Sequence, residues 1–494
     1  MTEVRQVKNF IDGEYRVSSS TFELPDPATS QLVAIVHEAS ADDVDDAVTA
    51  ARRALNGPWA RMSMADRHEL MRKACDLILS RKDEFVAAEI ADSGHPISAV
   101  SNIEIPRGAQ QLRAFADIAS GHYEPETFET QTPDGRQAHN YTQRVPKGVI
   151  AAICPWNLPL IMATWKLAPA LAWGNTVVLK PSEETPSTAS MLGKIFNEAG
   201  FPAGVINIVN GFGMDSTGEF LTRHPDVDAI NFTGETVTGT AIMQAAAVGI
   251  RDVSLELGGK NAAIILDDCN LDAAVAGTAA SVFYNCGQIC LGTERVYVSR
   301  SIFDEFVAQL KRRAEGQILG DPRLPDTTMG PLVSHEHREK VLQCYRRAAT
   351  EGAEVITGGG VPEMEDDLAR GAWIQPTIWT GLPENSRSVR EEIFGPCCHV
   401  VPIDDDEAAI ELANDTRYGL AATVWSADTK RARTLAERLN AGVCWINGWM
   451  IRDLRTPFGG FGESGIGREG GAHAMEFHTE LKNICQVLDP PADS

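Results

Sequence analysis

Three side chains in this sequence have the chemistry that acyl transfer needs, and each sits beside glycine or proline. Cys290 lies in NCGQICLGTER (285–295), where Gly and Gln punctuation gives way to a β-type run, so a loop entering a strand carries it. A thiolate is a strong nucleophile, but a free thiol titrates at about 8.5 and needs help from its surroundings. The competing reading is a buried structural cysteine, and the ten cysteines of the chain include Cys286 and the adjacent Cys397 and Cys398. Glu256 ends an apolar run before two glycines in SLELGGK (254–260). Partial desolvation there raises a carboxyl toward the range of a general base, whereas an ion pair with Lys260 is the alternative. Asn157 stands between two prolines in CPWNLP (154–159). A fixed amide could donate to a developing oxyanion or cap its own turn. No Cys/His group has the spacing of a zinc site, and among the histidines only His335 and His337 lie close together, so no metal site is expected.

Such groups need elements that bring them together. GVIAAI (148–153), TVVLK (176–180), GVINIV (204–209), AINFTG (229–234), VSLEL (253–257) and AAIIL (262–266) read as strands, with helical patterns such as LIMATWKLAPALAW and TASMLGKIFNEAG between them. Strand, helix, strand at intervals of ~25 residues predicts βαβ units in a doubly wound parallel sheet. Ligands of such sheets sit beyond the carboxyl ends of the strands. Upstream, ADDVDDAVTAARRALNGPWA and ADRHELMRKACDLILSRKDEFVAAEIA are amphipathic helices. Downstream the alternation recurs more loosely in RVYVS (295–299), a helix over 301–316, AEVITGG (353–359), HVVPI (399–403), AATVWSA (421–427) and VCWIN (443–447). The polar segment 124–146 and the end, FHTELKNICQVLDPP, stand outside both patterns.

The 494 residues suffice for roughly two to four domains. Hydrophobic residues at 43% and charged residues at 23% are ordinary for a globular chain. The formal charge of −24 argues against binding to nucleic-acid phosphates, and any anionic ligand must be held by local donors. Residues 148–165 are uncharged, but Pro155, Asn157 and Pro159 interrupt them, so a buried strand, a loop and a short helix are expected instead of a membrane span. The start, MTEVRQVKNFIDGEYR, has no apolar core. No signal peptide is therefore expected, and a cytoplasmic protein with reduced thiols is the default.

The motifs PWNLP, KPSEETP, FTGE, LELGGK, GQIC, EEIFGP and PFGGFGESGIGREGG follow one another in this order. The series resembles the NAD(P)-dependent aldehyde dehydrogenase family, from about residue 8 to 485. The resemblance implies an α/β fold in three parts. These are an NAD-binding domain on a doubly wound parallel sheet (1–123 and 147–258), an α/β catalytic domain (259–473) and a small β oligomerisation element (124–146 and 474–494). It implies that Cys290 attacks the aldehyde, that Asn157 holds the oxyanion, and that Glu256 activates the water that hydrolyses the resulting thioester. For the cofactor, Lys180 and Glu183 match the family's adenine-ribose contacts, and a carboxylate at Glu183 favours NAD over NADP. Gly213, in GFG (211–213), looks like the family's glycine turn at the phosphates, although the tripeptide alone is only a turn. Glu392 and Phe394 match residues that hold and support the nicotinamide ribose, and Trp156 lies where the cofactor cleft begins. Glu235 stands where many members have Ser near the pyrophosphate, so it is not counted among the cofactor residues.

Two further segments, IPRGAQQLRAFAD (105–117) and WINGWMIRDLRTPFGG (445–460), together with FTGE, resemble one branch of that family. Its members, the 2-hydroxymuconate and 2-aminomuconate semialdehyde dehydrogenases, oxidise semialdehydes from aromatic-ring cleavage. In that branch, arginines matching Arg107 and Arg452 bind the substrate carboxylate. The alternative is a structural ion pair for each, with Glu104 or Asp453. Within the family, the rivals are a broad dehydrogenase for simple aldehydes and an acyl transferase to coenzyme A, against which Glu256 argues. Outside it, the rival is a binding or structural protein on an inactive dehydrogenase fold. A homodimer or homotetramer is expected.

Overall fold

The computed structural model describes residues 4–121 and 124–488. Two large sheets carry the architecture. The first has eight strands in the order Gly465–Ile466, Asp252–Glu256, Ala229–Thr233, Val149–Ile153, Thr176–Lys180, Ile206–Ile208, Asn9–Ile11, Glu14–Arg16. Its five central strands are parallel. After the edge strands Asn9–Ile11 and Glu14–Arg16, the parallel part begins at Val149–Ile153, winds outward through 176–180 and 206–208, then returns to the other side for 229–233 and 252–256. The switch point therefore lies between Val149–Ile153 and Ala229–Thr233, which is where such sheets open a crevice for ligands.

The central strands are mostly apolar and buried because helices cover both faces. Alternate residues go to different cores. Ile150, Ala152, Val177 and Leu179 pack with the buried helix Pro159–Ala172. Val149, Ala151, Ile153 and Val178 pack with Val44, Ala47, Val48 and Ala51 of helix Ala41–Leu55. That helix starts at a capping box in which Ser40 and Asp43 satisfy each other's backbone N–H.

The second sheet has seven strands in the order Glu354–Thr357, Thr377–Thr380, Cys397–Ile403, Thr293–Ser299, Asn261–Ile265, Ala421–Trp425, Val443–Ile446, parallel except for the first. The run 262–266, read in series with the five before it, belongs here. Gly258 and Gly259 carry the chain from one sheet to the other. A third sheet is antiparallel and three-stranded, with Gln137–Pro146 between Thr479–Val487 and Thr127–Gln131. Among the described residues no helix is long and apolar enough to cross a membrane.

Local differences from the sequence reading have local causes. The helical pattern over residues 65–91 splits into Met64–Ser80 and Lys82–Ser93 at Arg81 (φ −114°, ψ 24°). The Ser80 hydroxyl donates back to the Leu77 carbonyl, and Asp83 and Glu84 favour a fresh N-terminus. Strands Arg5–Val7, Asn9–Ile11 and Glu14–Arg16 have three residues each, too few to show a period.

Candidate active site

Helix Leu271–Phe283 runs into a tight turn, Tyr284–Gly287, and Cys290 follows on the last turn before strand Thr293–Ser299. Asn285 (φ +51°), Cys286 (φ +54°) and Gly287 (φ +72°) are all left-handed. That conformation is strained for the first two, so surrounding bonds must hold it. Asn285 Nδ2 donates to the Asn157 carbonyl (2.9 Å), Gln288 Nε2 to the Asn285 carbonyl (3.0 Å), and Val333 N–H to Gln288 Oε1 (2.9 Å). Asn261 Nδ2 donates to the Cys290 carbonyl (2.7 Å). A Cβ on Gly287 would lie 2.1 Å from the Gly395 carbonyl oxygen. Gly287→Ala is therefore expected to lower the unfolding free energy by about 1–3 kcal/mol in a denaturant titration. An unchanged midpoint would mean that the segment around Gly395 yields.

Cys290 is half-buried, whereas Cys286, Cys397 and Cys398 are fully buried. Burial pushes its thiol up to about 12, the Glu256 and Glu392 carboxyls push the same way, and Arg452 opposes them. Asn157, itself buried, does not cap its own turn. Its Nδ2 reaches across to the Gln288 carbonyl (2.9 Å), two residues before Cys290.

Glu256 closes strand Asp252–Glu256 and is 3% exposed. Lys260 is not its partner: that ammonium pairs with Glu294, whose Oε1 accepts from the N–H groups of Ile393 (3.0 Å) and Phe394 (2.9 Å). Glu256 Oε1 has no hydrogen-bond partner among the described residues. Burial, then the nearby Glu469, hold its carboxyl well above the ordinary carboxylate range, against Lys166, Arg452 and Arg468.

Across the crevice, Glu392 Oε1 accepts from Gly259 N–H (2.9 Å), and burial followed by Glu294 raises its carboxyl to about 8. A Cβ on Gly258 would lie 2.2 Å from Glu392 Oε2, so the carboxyl needs that glycine. Phe394 is left-handed (φ +60°), and His337 Nε2 donates to its carbonyl (2.8 Å). Burial lowers His337 to about 4, so the ring is a neutral donor at physiological pH. The Trp156 ring meets His337 and Phe394 edge-on at 4.9 and 5.3 Å, forming an aromatic wall.

Lys180 and Glu183 follow the next strand, Thr176–Lys180. Lys180 Nζ donates to the Pro181 carbonyl (3.0 Å) and to Glu183 Oε2 (3.4 Å), and burial lowers its pKa. Gly213 lies beyond the third strand and has nothing within 4 Å of a Cβ position. Glu235 is exposed at the start of helix Thr236–Val248 and makes no capping bond, and its charge helps raise Glu392.

Arg107 and Arg452 come from helix Ile105–Ser120 and from the loop after Val443–Ile446. Neither forms the ion pair weighed for it. Glu104 is held by His95 Nδ1 (3.0 Å) and the Tyr284 hydroxyl (3.3 Å), and Asp453 by Arg455 Nε (2.9 Å). Among the described residues no carboxylate pairs with either arginine. The Arg452 guanidinium instead lies over the rings of Phe458 (3.9 Å) and Trp165 (4.7 Å). Burial, then repulsion from Arg107, lower it to about 10, so it stays cationic at neutral pH.

The sequence reading missed Lys166 and Glu469. Lys166 Nζ, fully buried, donates to Asn231 Oδ1 (2.6 Å) and Glu469 Oε1 (3.4 Å), while Trp165 Nε1 bonds the other Glu469 oxygen. Lys166 was visible as the lone charge in a long apolar helix; its carboxylate partner, 303 residues away, was not. The crevice thus gathers a half-buried thiol, a buried amide donor, a desolvated carboxyl with charged groups beside it, and two arginines without carboxylate partners among the described residues, the groups from which acyl chemistry on an anionic ligand could be built.

The aldehyde dehydrogenase family profile matches residues 15–484. A 2-hydroxymuconic semialdehyde dehydrogenase of Pseudomonas sp. (strain CF600) is 58% identical over 487 residues, covering 98% of this chain and 100% of that one. A 2-aminomuconic 6-semialdehyde dehydrogenase of Pseudomonas sp. is 49% identical over 486 residues, covering 98% and 99%. The NAD+ complex of an aldehyde dehydrogenase from Bacillus cereus superposes with a TM-score of 0.94 at 40% identity, covering 98% and 97%. With the family profile, full-length identity and fold all agreeing over nearly its whole length, the chain belongs to the aldehyde dehydrogenase family.

Proposed function

We propose that this enzyme oxidises a carboxylate-bearing semialdehyde from aromatic-ring cleavage, of the 2-hydroxymuconate or 2-aminomuconate 6-semialdehyde type, to the dicarboxylic acid with NAD. The observation that carries the substrate class is Arg452, within electrostatic reach of both Cys290 and Arg107, with neither arginine paired to a carboxylate among the described residues. Two cations that repel each other are stabilised when an anion joins them. Arginine grips carboxylate through its planar fork.

Cys290 Sγ adds to the aldehyde carbon, and the oxygen takes the negative charge beside Asn157 Nδ2. When bound, NAD supplies the nicotinamide that accepts the hydride. The thioester left on Cys290 is attacked by water, whose proton goes to the Glu256 carboxylate, and the acid leaves as the thiolate returns. Overall, aldehyde, NAD+ and water give carboxylate, NADH and two protons. The free Glu256 Oε1 suits a water-activating role, and Lys166 with Glu469 behind it is placed to influence its proton.

The crevice fits a dinucleotide. Lys180 and Glu183 would hold the adenosine ribose, the open turn at Gly213 and the uncapped start of helix Thr236–Val248 the phosphates, and Glu392 with Phe394 the nicotinamide ribose, with Trp156 behind. The half-exposed Glu183 carboxylate disfavours a 2′-phosphate. We assign residues 1–123 and 147–258 to cofactor binding, 259–473 to catalysis, and 124–146 with 474–494 to oligomerisation. Residues 1–3, 122–123 and 489–494 of these ranges lie outside the described residues. Val248 and Ile250, 90% and 94% exposed, and the apolar side chains Phe128 and Leu481 on the third sheet support self-association as a homodimer or homotetramer.

The test compares kcat/KM for a carboxylated semialdehyde and a matched neutral aldehyde. Hydrogen bonds to charged groups are worth about 1.5–3 kcal/mol. Arg452→Ala should therefore cut the preference ratio roughly 10- to 100-fold. An unchanged ratio would favour the broad-specificity alternative.

A further inference from the structure

The guanidinium pair and the thiol come from three segments far apart in sequence, yet one tyrosine touches the supports of all three. Arg107 follows a single π-helical turn, Val100–Glu104, that precedes helix Ile105–Ser120. This turn points Glu104 inward, 1% exposed, where His95 Nδ1 donates to Oε2 (3.0 Å) and the Tyr284 hydroxyl to Oε1 (3.3 Å). Isolated π turns frequently mark functional sites. Tyr284 itself begins the turn that leads to Cys290. Its ring packs edge-on against Trp449 at 6.1 Å, and Trp449 Nε1 donates to the carbonyl of Leu291, the residue after Cys290 (2.9 Å). Trp449 belongs to the loop that presents Arg452. That loop is bent through left-handed Met450 (φ +59°) and closed by Trp445 Nε1 on the Ile451 carbonyl (2.8 Å).

We propose that Tyr284, with its hydroxyl on Glu104 and its ring on Trp449, is a positioning residue that sets the span between the Arg107–Arg452 pair and Cys290 Sγ, and so selects the chain length of the semialdehyde acid. The inference rests on the carboxylate-binding role given to the two arginines. A ligand held at both ends is discriminated by the distance between the anchors, because misplacing either end forfeits attack geometry or the ionic contact. The tyrosine touches neither anchor's ligand in this account. It ties the helix of one arginine and the loop of the other to the nucleophile's turn.

The experiment measures kcat and KM for succinic, glutaric and adipic semialdehydes and for hexanal, in the wild type and in Tyr284→Phe and Trp449→Phe. Tyr284→Phe keeps the ring and deletes the hydroxyl, and Trp449→Phe keeps an aromatic ring and deletes the N–H. Each should lower kcat/KM for adipic semialdehyde about tenfold through KM, change hexanal less than twofold, and flatten the preference among the three acids. An equal fall for hexanal would mark a merely structural role and overturn the proposal, as would an intact length profile in both variants. The wild-type ratio of adipic semialdehyde to hexanal, and its loss in Arg452→Ala, report on the carboxylate reading separately. A wild type without that preference overturns both readings; a preference that survives both aromatic variants with its length profile intact overturns only the role of Tyr284.

Discussion

Replacing Cys290 with serine is expected to reduce NADH formation from any aldehyde by roughly 10⁴- to 10⁶-fold, the usual cost of deleting a catalytic nucleophile. NAD binding, followed by quenching of tryptophan fluorescence, should persist. The reason lies in access and environment together. Cys286, four residues earlier, is buried among Tyr345, Trp379 and Cys397, where no substrate reaches. Cys290 is half-buried, two residues after the Gln288 carbonyl that accepts from the Asn157 amide and within electrostatic reach of the Arg452 guanidinium, the groups an oxyanion and a carboxylate would need. Its thiol is pushed up to about 12 by burial and by Glu256 and Glu392, so the thiolate fraction, and with it the acylation rate, should climb as pH rises through the neutral range. Cys286→Ser should stay within tenfold of the parent enzyme. Activity that survives in Cys290→Ser and vanishes in Cys286→Ser would refute the assignment.

Replacing Glu256 with glutamine should separate the two halves of the reaction. Rapid mixing is expected to give a burst of about one NADH per active site, followed by a steady state slowed roughly 10²- to 10⁴-fold, the contribution of a positioned base. Acyl-enzyme should then be trapped on Cys290 and be visible as a mass increment on the intact protein. The sign of the pH dependence follows from the carboxyl's surroundings. Burial and Glu469 hold Glu256 above the ordinary range, so at low pH it is protonated and cannot accept a proton from water. Hydrolysis in the parent enzyme should therefore rise with pH until that carboxyl ionises, and the rise should flatten in Glu256→Gln. A variant with no burst, or with undiminished turnover, would remove Glu256 from the hydrolytic step.

The overall charge bears on the same chemistry from further away. A chain at −24 repels anions at long range, so both ligands of the proposed reaction must be captured by short-range contacts. On the proposed reading, local cations would meet that need: Lys180 at the ribose end, Arg107 and Arg452 at the other. Salt should therefore speed substrate capture by screening the outer field, while leaving the desolvated arginine contacts largely intact.

The parts legible in the sequence are those governed by neighbours along the chain. VIAAI, TVVLK and AINFT are mostly apolar and wholly buried because both faces of a parallel strand are covered, and their spacing announced the doubly wound sheet. The turn before Cys290, the proline-bracketed Asn157 and the strand-end Glu256 were visible because glycine, proline and apolar runs set backbone geometry within a few residues. What the tertiary structure alone decided was choice among partners. Lys260 went to Glu294, not Glu256; Asp453 went to Arg455, leaving Arg452 without a carboxylate partner among the described residues; Lys166 found Glu469 across 303 residues. The strand Asn261–Ile265, indistinguishable in composition from its predecessors, joined the other sheet because two glycines redirected the chain. Backbone pattern follows local period and burial, which a sequence carries directly. An ion's partner depends on which charges the packed elements bring within a few ångströms of each other and away from water, and that is a property of the fold.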